Sequence, residues 1–290
     1  CRRREKPRAE PGAEGRVPLS VKGGRGARIA PSAEVFSEPH AASLIGYAKV
    51  FHAAGISWTT SSYAAEAANF GLFIGSYEQM RTLSQRVKQA AQELGVKRII
   101  IGECGHAWRV AYNDWNTFIG PFDWLDARYP VPQHICEFTH DLIGRGALRF
   151  DKDRNDDRII TFHDSCNVAR ASRMGNRPGG QFTIPREIIK AVANNFHDMA
   201  PETICDSTFC CGGGGGLLTD DLLELRVKGA LPRMEAMKNV VDEHGVNFMA
   251  MICAICKAQF TKVLPQYGFD MSMVGGVHQL VSKAIRLGDK

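Results

Sequence analysis

Cysteine placement constrains this chain more than any other feature. In the second half Cys166 stands alone, the adjacent pair Cys210 and Cys211 follows after 43 residues, and Cys253-x-x-Cys256 after 41 more. An iron–sulfur cluster needs several deprotonated thiolates converging from chain turns, because soft sulfur ligands match iron and inorganic sulfide. A structural zinc site closes on four ligands, so zinc would leave one cysteine over and has no use for a vicinal pair. The spacing therefore points to an iron–sulfur site on Cys166, Cys210, Cys211, Cys253 and Cys256, and clustered cysteines of this kind point to metal or redox work. A zinc-stabilised scaffold is the competing reading.

The flanking residues agree. The run CCGGGGG (210–216) lets backbone approach a bulky group without side-chain clash, and a helix is expected to follow whose N-terminal amides favour negative charge. A phosphate loop would end on Lys and Ser or Thr, whereas this one runs into Leu217 and Leu218. His163 and Asp164 precede Cys166 and are read either as hydrogen-bonding partners of the site or as ordinary strand-end caps. Cys136 and Cys205, off the pattern, are read as core thiols.

Composition excludes several classes. The net charge of +5 resolves into +6 over residues 1–28 and −1 over the rest, so the basic, Gly/Pro-rich start reads as a linker rather than a nucleic-acid arm. With 44% hydrophobic residues in 290, the chain has enough core for an enzyme-sized globule and no need of a disulfide framework. No stretch approaches the roughly 18 apolar residues of a membrane span, and no signal peptide is expected. Because the chain begins at Cys1, it is expected to be a fragment or processed product.

From about residue 40 helix-like and strand-like segments alternate, the pattern of an α/β fold with a mostly parallel sheet. Helices are expected over 41–55, from the Ser76 cap to Gly95, over 187–196, and over 217–244 with a kink or restart at Pro232. Strands are expected over 97–101, 159–162, 203–208 and 247–252. GVKRIIIGECGH (95–106) aligns without gaps on GVNFMAMICAIC (245–256), and FTHDLI (138–143) resembles VHQLVS (277–282). Two pseudo-symmetric domains facing one another follow: a linker over 1–39, a degenerate first domain over 40–150 and a cluster-binding domain over 151–290. The alignment sets Glu103 opposite Cys253 and His106 opposite Cys256. Glu103, Cys104 and His106 are thus expected to reach the cluster from the far side, as a substrate-binding or proton-donating wall.

The combination of a Cys, a CCG and a CxxC resembles the CCG, or cysteine-rich, domain of the heterodisulfide reductase catalytic subunit and its relatives. GECGHAWRVAY (102–112), HDSCNVARASRMG (163–175), TFCCGGGGGLLTDDLLELRVKGALPRM (208–234) and MICAICKAQFTKVLP (251–265) look like the DsrK subunits of sulfite-reduction-associated DsrMKJOP complexes, over about residues 40–290. The resemblance implies one noncubane [4Fe–4S] cluster held by Cys166, Cys210, Cys211, Cys253 and Cys256, where a disulfide-type or trisulfide bond is cleaved or formed on the sulfur carrier DsrC. It also implies cubane [4Fe–4S] clusters ahead of this region, membrane-bound quinone-linked partner subunits, and a cytoplasmic position at the inner membrane through those partners. The first half departs from relatives with two CCG motifs, since it has no cysteine pair and no CxxC. An alternative is an electron-transfer CCG subunit of a quinone-linked dehydrogenase.

Overall fold

The computed structural model describes residues 19–20, 26–29, 38–216 and 218–288. Strands β1 (Gly26–Ile29), β2 (Trp58–Thr60), β3 (Ile99–Ile101) and β4 (Gln133–His134) form one sheet in the order β2-β1-β3-β4. Strands β5 (Ile160–His163), β6 (Phe248–Met251) and β7 (Val274–Gly276) form a second, in the order β5-β6-β7. All of these strand pairs are parallel, which is the α/β architecture expected from the alternating pattern. Gly26–Ile29 lies in the stretch read as linker, yet pairs with both β2 and β3; the rest of residues 1–39 lies largely outside the described residues.

Local sequence explains most helix ends. In α1 (Glu38–Ala53) the helical run stops two residues before Gly55, and α2 (Asn69–Phe73) is a single short turn. Helix α3 (Tyr77–Leu94) begins where the Ser76 hydroxyl accepts the Gln79 N–H at 3.2 Å and ends where Gly95 turns left-handed at φ 65°. That cap is worth about 1 kcal/mol. Helix α4 (Gly105–Asn113) follows β3, α5 (Trp115–Ile119) follows it, and α6 (Ile135–Gly144) follows β4 behind a capping box of His134 and Glu137. In the second half come α7 (Cys166–Ala169), α8 (Gly180–Val192), α9 (Leu223–His244), α10 (Ala254–Val263) and α11 (Val277–Ala284).

Three expectations need correction. Residues 203–208 are not a strand: Pro201–Thr203 and Cys205–Ser207 are 3-10 turns, because Cys205 takes φ 57° and cannot continue extended backbone. The helix expected over 187–196 begins earlier, at Gly180, and ends at Val192. Helix α9 starts at Leu223 after a 3-10 turn and continues through Pro232 as one element.

Alternation along β6 joins two cores. Phe248 and Ala250 face a core that runs through both halves of the chain, while Met249 and Met251 face a second core that contains Cys211, Cys253 and Cys256. The halves meet closely where α11 crosses α1: a Cβ on Gly46 would lie 2.0 Å from the His278 carbonyl oxygen. Lys49 adds a bond from its ammonium to the Ser282 carbonyl at 2.7 Å.

Candidate metal centre

Three of the five expected ligands sit at a strand or helix end. β5 delivers Cys166 to the start of α7, β6 delivers Cys253 to the N-cap of α10, and Cys256 lies in the first turn of that helix. Cys210 and Cys211 come from the glycine loop before α9. That loop needs its glycines: Gly212 has φ 82°, and a Cβ there would lie 2.2 Å from the Arg226 carbonyl oxygen.

The five thiols form one contiguous set, with Cys166 against Cys210, Cys210 against Cys211, Cys211 against Cys256 and Cys256 against Cys253. Cys211, Cys253 and Cys256 are buried, while Cys166 and Cys210 are half-buried. Hydrogen bonds from Cys166 and Cys211, with the Gly212 N–H at 3.3 Å, pull the Cys210 thiol far below its ordinary range against the cost of burial. Cys256 and His106 do the same for Cys253. The thiols donating to them are pushed up: Cys166 chiefly by Cys210, and Cys256 by Cys211 and Cys253. Cys210 and Cys253 are thus the two sulfurs favoured as thiolates, and negative charge in so buried a place requires cationic compensation.

Two further observations fit a metal cluster. His163 is 0% exposed, and among the described residues neither of its ring nitrogens has a hydrogen-bond partner, although one lies within 4.8 Å of the sulfurs of both Cys211 and Cys256. A buried ring with both polar edges unmatched is costly in the absence of a group to bond. Burial, with the nearby Arg233 charge, pushes this imidazole down to about 3, so it stays neutral and can offer one N–H and one lone pair. Arg233, itself 0% exposed, extends positive charge toward Cys256 and Cys211 from α9, and burial lowers its guanidinium to about 10. It also donates to the Thr203 carbonyl, to Thr208 Oγ1 at 2.8 Å and to Met199 Sδ at 2.7 Å, which holds the loop over 203–208.

Asp164 is occupied elsewhere. Its carboxylate takes both Arg186 terminal nitrogens, at 2.9 and 2.7 Å, and the Cys205 N–H at 2.9 Å, so it fixes the turn that carries Cys166.

Of the first-half trio, His106 meets the cysteines. The Arg109 guanidinium can only donate, and its 3.1 Å contact with Asn167 Oδ1 orients that amide. Asn167 Nδ2 then donates to His106 Nε2 at 2.9 Å, which leaves the ring proton on Nδ1, 3.6 Å from Cys253 Sγ. Cys104 is buried at the N-cap of α4. Glu103, expected in the proton-donating wall, is 0% exposed and has both carboxylate oxygens engaged. Ser43 donates to it at 2.8 Å, His278 donates through its backbone N–H at 2.7 Å and faces it with Nδ1 at 2.8 Å, and Lys257 forms a short ion pair. Burial pushes its carboxyl up, but Lys257 and His278 outweigh that and hold it far below the usual carboxylate range. An ionised, fully engaged carboxylate has no proton to give, so its geometry is that of an interior ion pair bridging the halves. Glu103, Cys136 and His278 also lie close enough to hold an ion, but the Lys257 ammonium already compensates that place.

Sequence reasoning missed Lys257 and Arg233. The available signal was a charged residue inside an apolar helix pattern, as Lys257 is directly after Cys256 and Arg233 directly before Met234.

A cleft of about 490 Å³ opens onto this arrangement, lined by Cys166 and His106 together with Phe73, Arg109 and Arg170. The Phe73 ring stands edge-on to His106 at 5.0 Å.

Residues 160–261 match the cysteine-rich domain family CCG. The chain is 37% identical over 287 residues to Hdr-like menaquinol oxidoreductase iron-sulfur subunit 2 of Archaeoglobus fulgidus, covering 89% of this chain and 50% of that protein. It is 36% identical over 290 residues to the Hdr-like menaquinol oxidoreductase iron-sulfur subunit of Archaeoglobus profundus, with the same two coverages. The chain thus spans about half the length of these relatives. Among the described residues no helix is long and apolar enough to cross a membrane. The five clustered thiols all lie within the residues that match the cysteine-rich domain family, in a chain similar to the iron-sulfur subunits of Hdr-like menaquinol oxidoreductases.

Proposed function

We propose that this chain is the iron–sulfur part of a quinone-linked oxidoreductase and that it cleaves or forms a disulfide-type bond on a sulfur carrier. Cys166, Cys210, Cys211, Cys253 and Cys256 would hold one noncubane [4Fe–4S] cluster, which when bound supplies one-electron redox chemistry and an iron open to sulfur. The observation that carries this reading is the junction of the five thiols with a solvent-open cleft at Cys166 and His106. A closed structural zinc site would have no need of that opening.

Cleaving a disulfide consumes two electrons and two protons and releases two thiols. Menaquinol, the reductant in the names of the two archaeal relatives, is the class of donor that balances those electrons. His106 holds a proton at Nδ1 toward sulfur, Asn167 and Arg109 keep that tautomer, and Phe73 shields the ring from water. Glu103 acts at a distance, by fixing Lys257 and hence the helix turn that bears Cys256. The partners this reading calls for are a DsrC-like sulfur carrier and membrane-bound, quinone-linked subunits of a DsrMKJOP-like complex.

Addition of an oxidised, disulfide-bearing sulfur carrier to cluster-loaded protein under anaerobic conditions tests it. A new paramagnetic signal that forms with the carrier, and forms at least tenfold more slowly in His106→Leu at equal iron content, is the expected result. A spectrum indifferent to the carrier would leave a plain electron relay.

A further inference from the structure

A second hollow of about 470 Å³ adjoins the cleft and shares Arg109, Arg170 and Ala171 with it, adding Arg173, Tyr112 and Asn113. Three guanidiniums therefore line the trough made by these two adjoining hollows, and Cys166 and His106 line it too. Each is held without spending its charge on a carboxylate. Arg109 bonds Asn167 Oδ1, Arg170 bonds the Thr208 carbonyl at 2.6 Å and the Asp206 carbonyl at 3.2 Å, and Arg173 bonds the Ser172 carbonyl at 2.9 Å. No Asp or Glu lines either hollow among the described residues. Asp114 is near enough for the Arg109 charge to act on its carboxyl, though the two form no ion pair among the described residues. Guanidiniums anchored by neutral acceptors are preorganised and uncompensated, the arrangement that recognises carboxylates in two-pronged fashion.

Resting on the disulfide reading above, we propose that this trough selects sulfur substrates whose S–S bond is flanked by carboxylates, with Arg109, Arg170 and Arg173 binding the anionic groups and presenting the bond to Cys166 and His106. The pocket wall of Leu72, Phe73 and Gly215 supplies the apolar side for the substrate's stem. Because the trough is open to solvent, the attraction is screened by salt.

Two small disulfides with the same bond and opposite charge test this: oxidised glutathione, which carries carboxylates, and cystamine, which carries only ammonium groups. Titration calorimetry on the cluster-loaded full chain is expected to give tighter binding for oxidised glutathione by a factor of ten or more. That binding should weaken about tenfold in Arg173→Gln and again in Arg170→Gln, and fall as sodium chloride rises, while cystamine is unaffected. Arg170 also holds the loop over 203–208, so Arg173→Gln and the salt series decide the matter if Arg170→Gln misfolds. A disulfide-linked peptide flanked by glutamates that binds tighter than glutathione would assign the carboxylates to a protein carrier, and the reverse order to a free small molecule; both uphold the charge requirement. Equal affinity for the two disulfides, or glutathione binding indifferent to salt and to Arg173→Gln, overturns it. Arginine-dependent binding of oxidised glutathione with no change in the cluster's paramagnetic spectrum would keep the anionic trough and remove the sulfur chemistry.

Discussion

The Glu103–Lys257 pair joins residues 154 positions apart at 0% exposure; Ser43 and His278 complete its hydrogen bonds, and Thr139 bonds the other ring nitrogen of His278. Removing one partner strands a buried charge, which costs about 3–5 kcal/mol. Glu103→Ala is expected to lose that much in chemical denaturation, and a loss under about 1 kcal/mol would show the pair to be dispensable. Histidines tie stability to pH in a defined sense. Burial pushes His40 and His134 from 6.5 down to about 3, so both are neutral when folded and take up protons on unfolding below pH 6.5. Their contribution is complete above that pH and is lost as pH falls toward 3. Between pH 6 and 5 the two together should remove about 2 kcal/mol of stability, and His40→Leu should lessen that loss by about half. An unchanged slope in His40→Leu would contradict it. The cysteine set was legible in the sequence because ligand spacing is local; the Glu103 network was not, because its partners come from α1, α10 and α11 and no single segment shows them.

Among the elements, the glycine loop carries the most positional demand. Gly212 and Gly268 both have left-handed backbone, at φ 82° and 79°, yet a Cβ on Gly212 would meet backbone at 2.2 Å, whereas among the described residues nothing lies within 4 Å of a Cβ on Gly268. Gly268→Ala should cost about 1 kcal/mol and leave metal content alone. Gly212→Ala has to displace the loop bearing Cys210 and Cys211, and iron retained after anaerobic purification should fall by half or more. Equal iron in the two variants would mean that the loop adapts. Most helices and strands followed from periodicity and caps, as Ser76 and Gly95 illustrate. Residues 203–208 misled because apolar and β-branched residues there look strand-like, whereas Arg233 and Asp164 fold them into turns through side-chain bonds. Gly26–Ile29 was hidden in the opposite way, by lying in a basic, glycine-rich stretch whose composition outweighs four residues of strand.

At the level of the molecule, the internal similarity between 95–106 and 245–256 corresponds to β3 leading into α4 and β6 leading into α10, so both sheets deliver a polar cluster from a strand's carboxyl end. In the second half that cluster is a pair of thiols, and in the first it is His106, which meets Cys253, and Glu103, which meets Lys257. The two similar segments thus bring the second half's thiols to the first half's His106, and one core runs through both halves. The redox function proposed for this chain depends on what the five thiols hold. The most direct test is to measure iron, acid-labile sulfide and zinc in protein purified without oxygen and again after cluster reconstitution. About four irons and four sulfides per chain, lost in Cys211→Ser and Cys256→Ser, is the expected result. Stoichiometric zinc with no iron after reconstitution would make the centre a structural one and contradict the account.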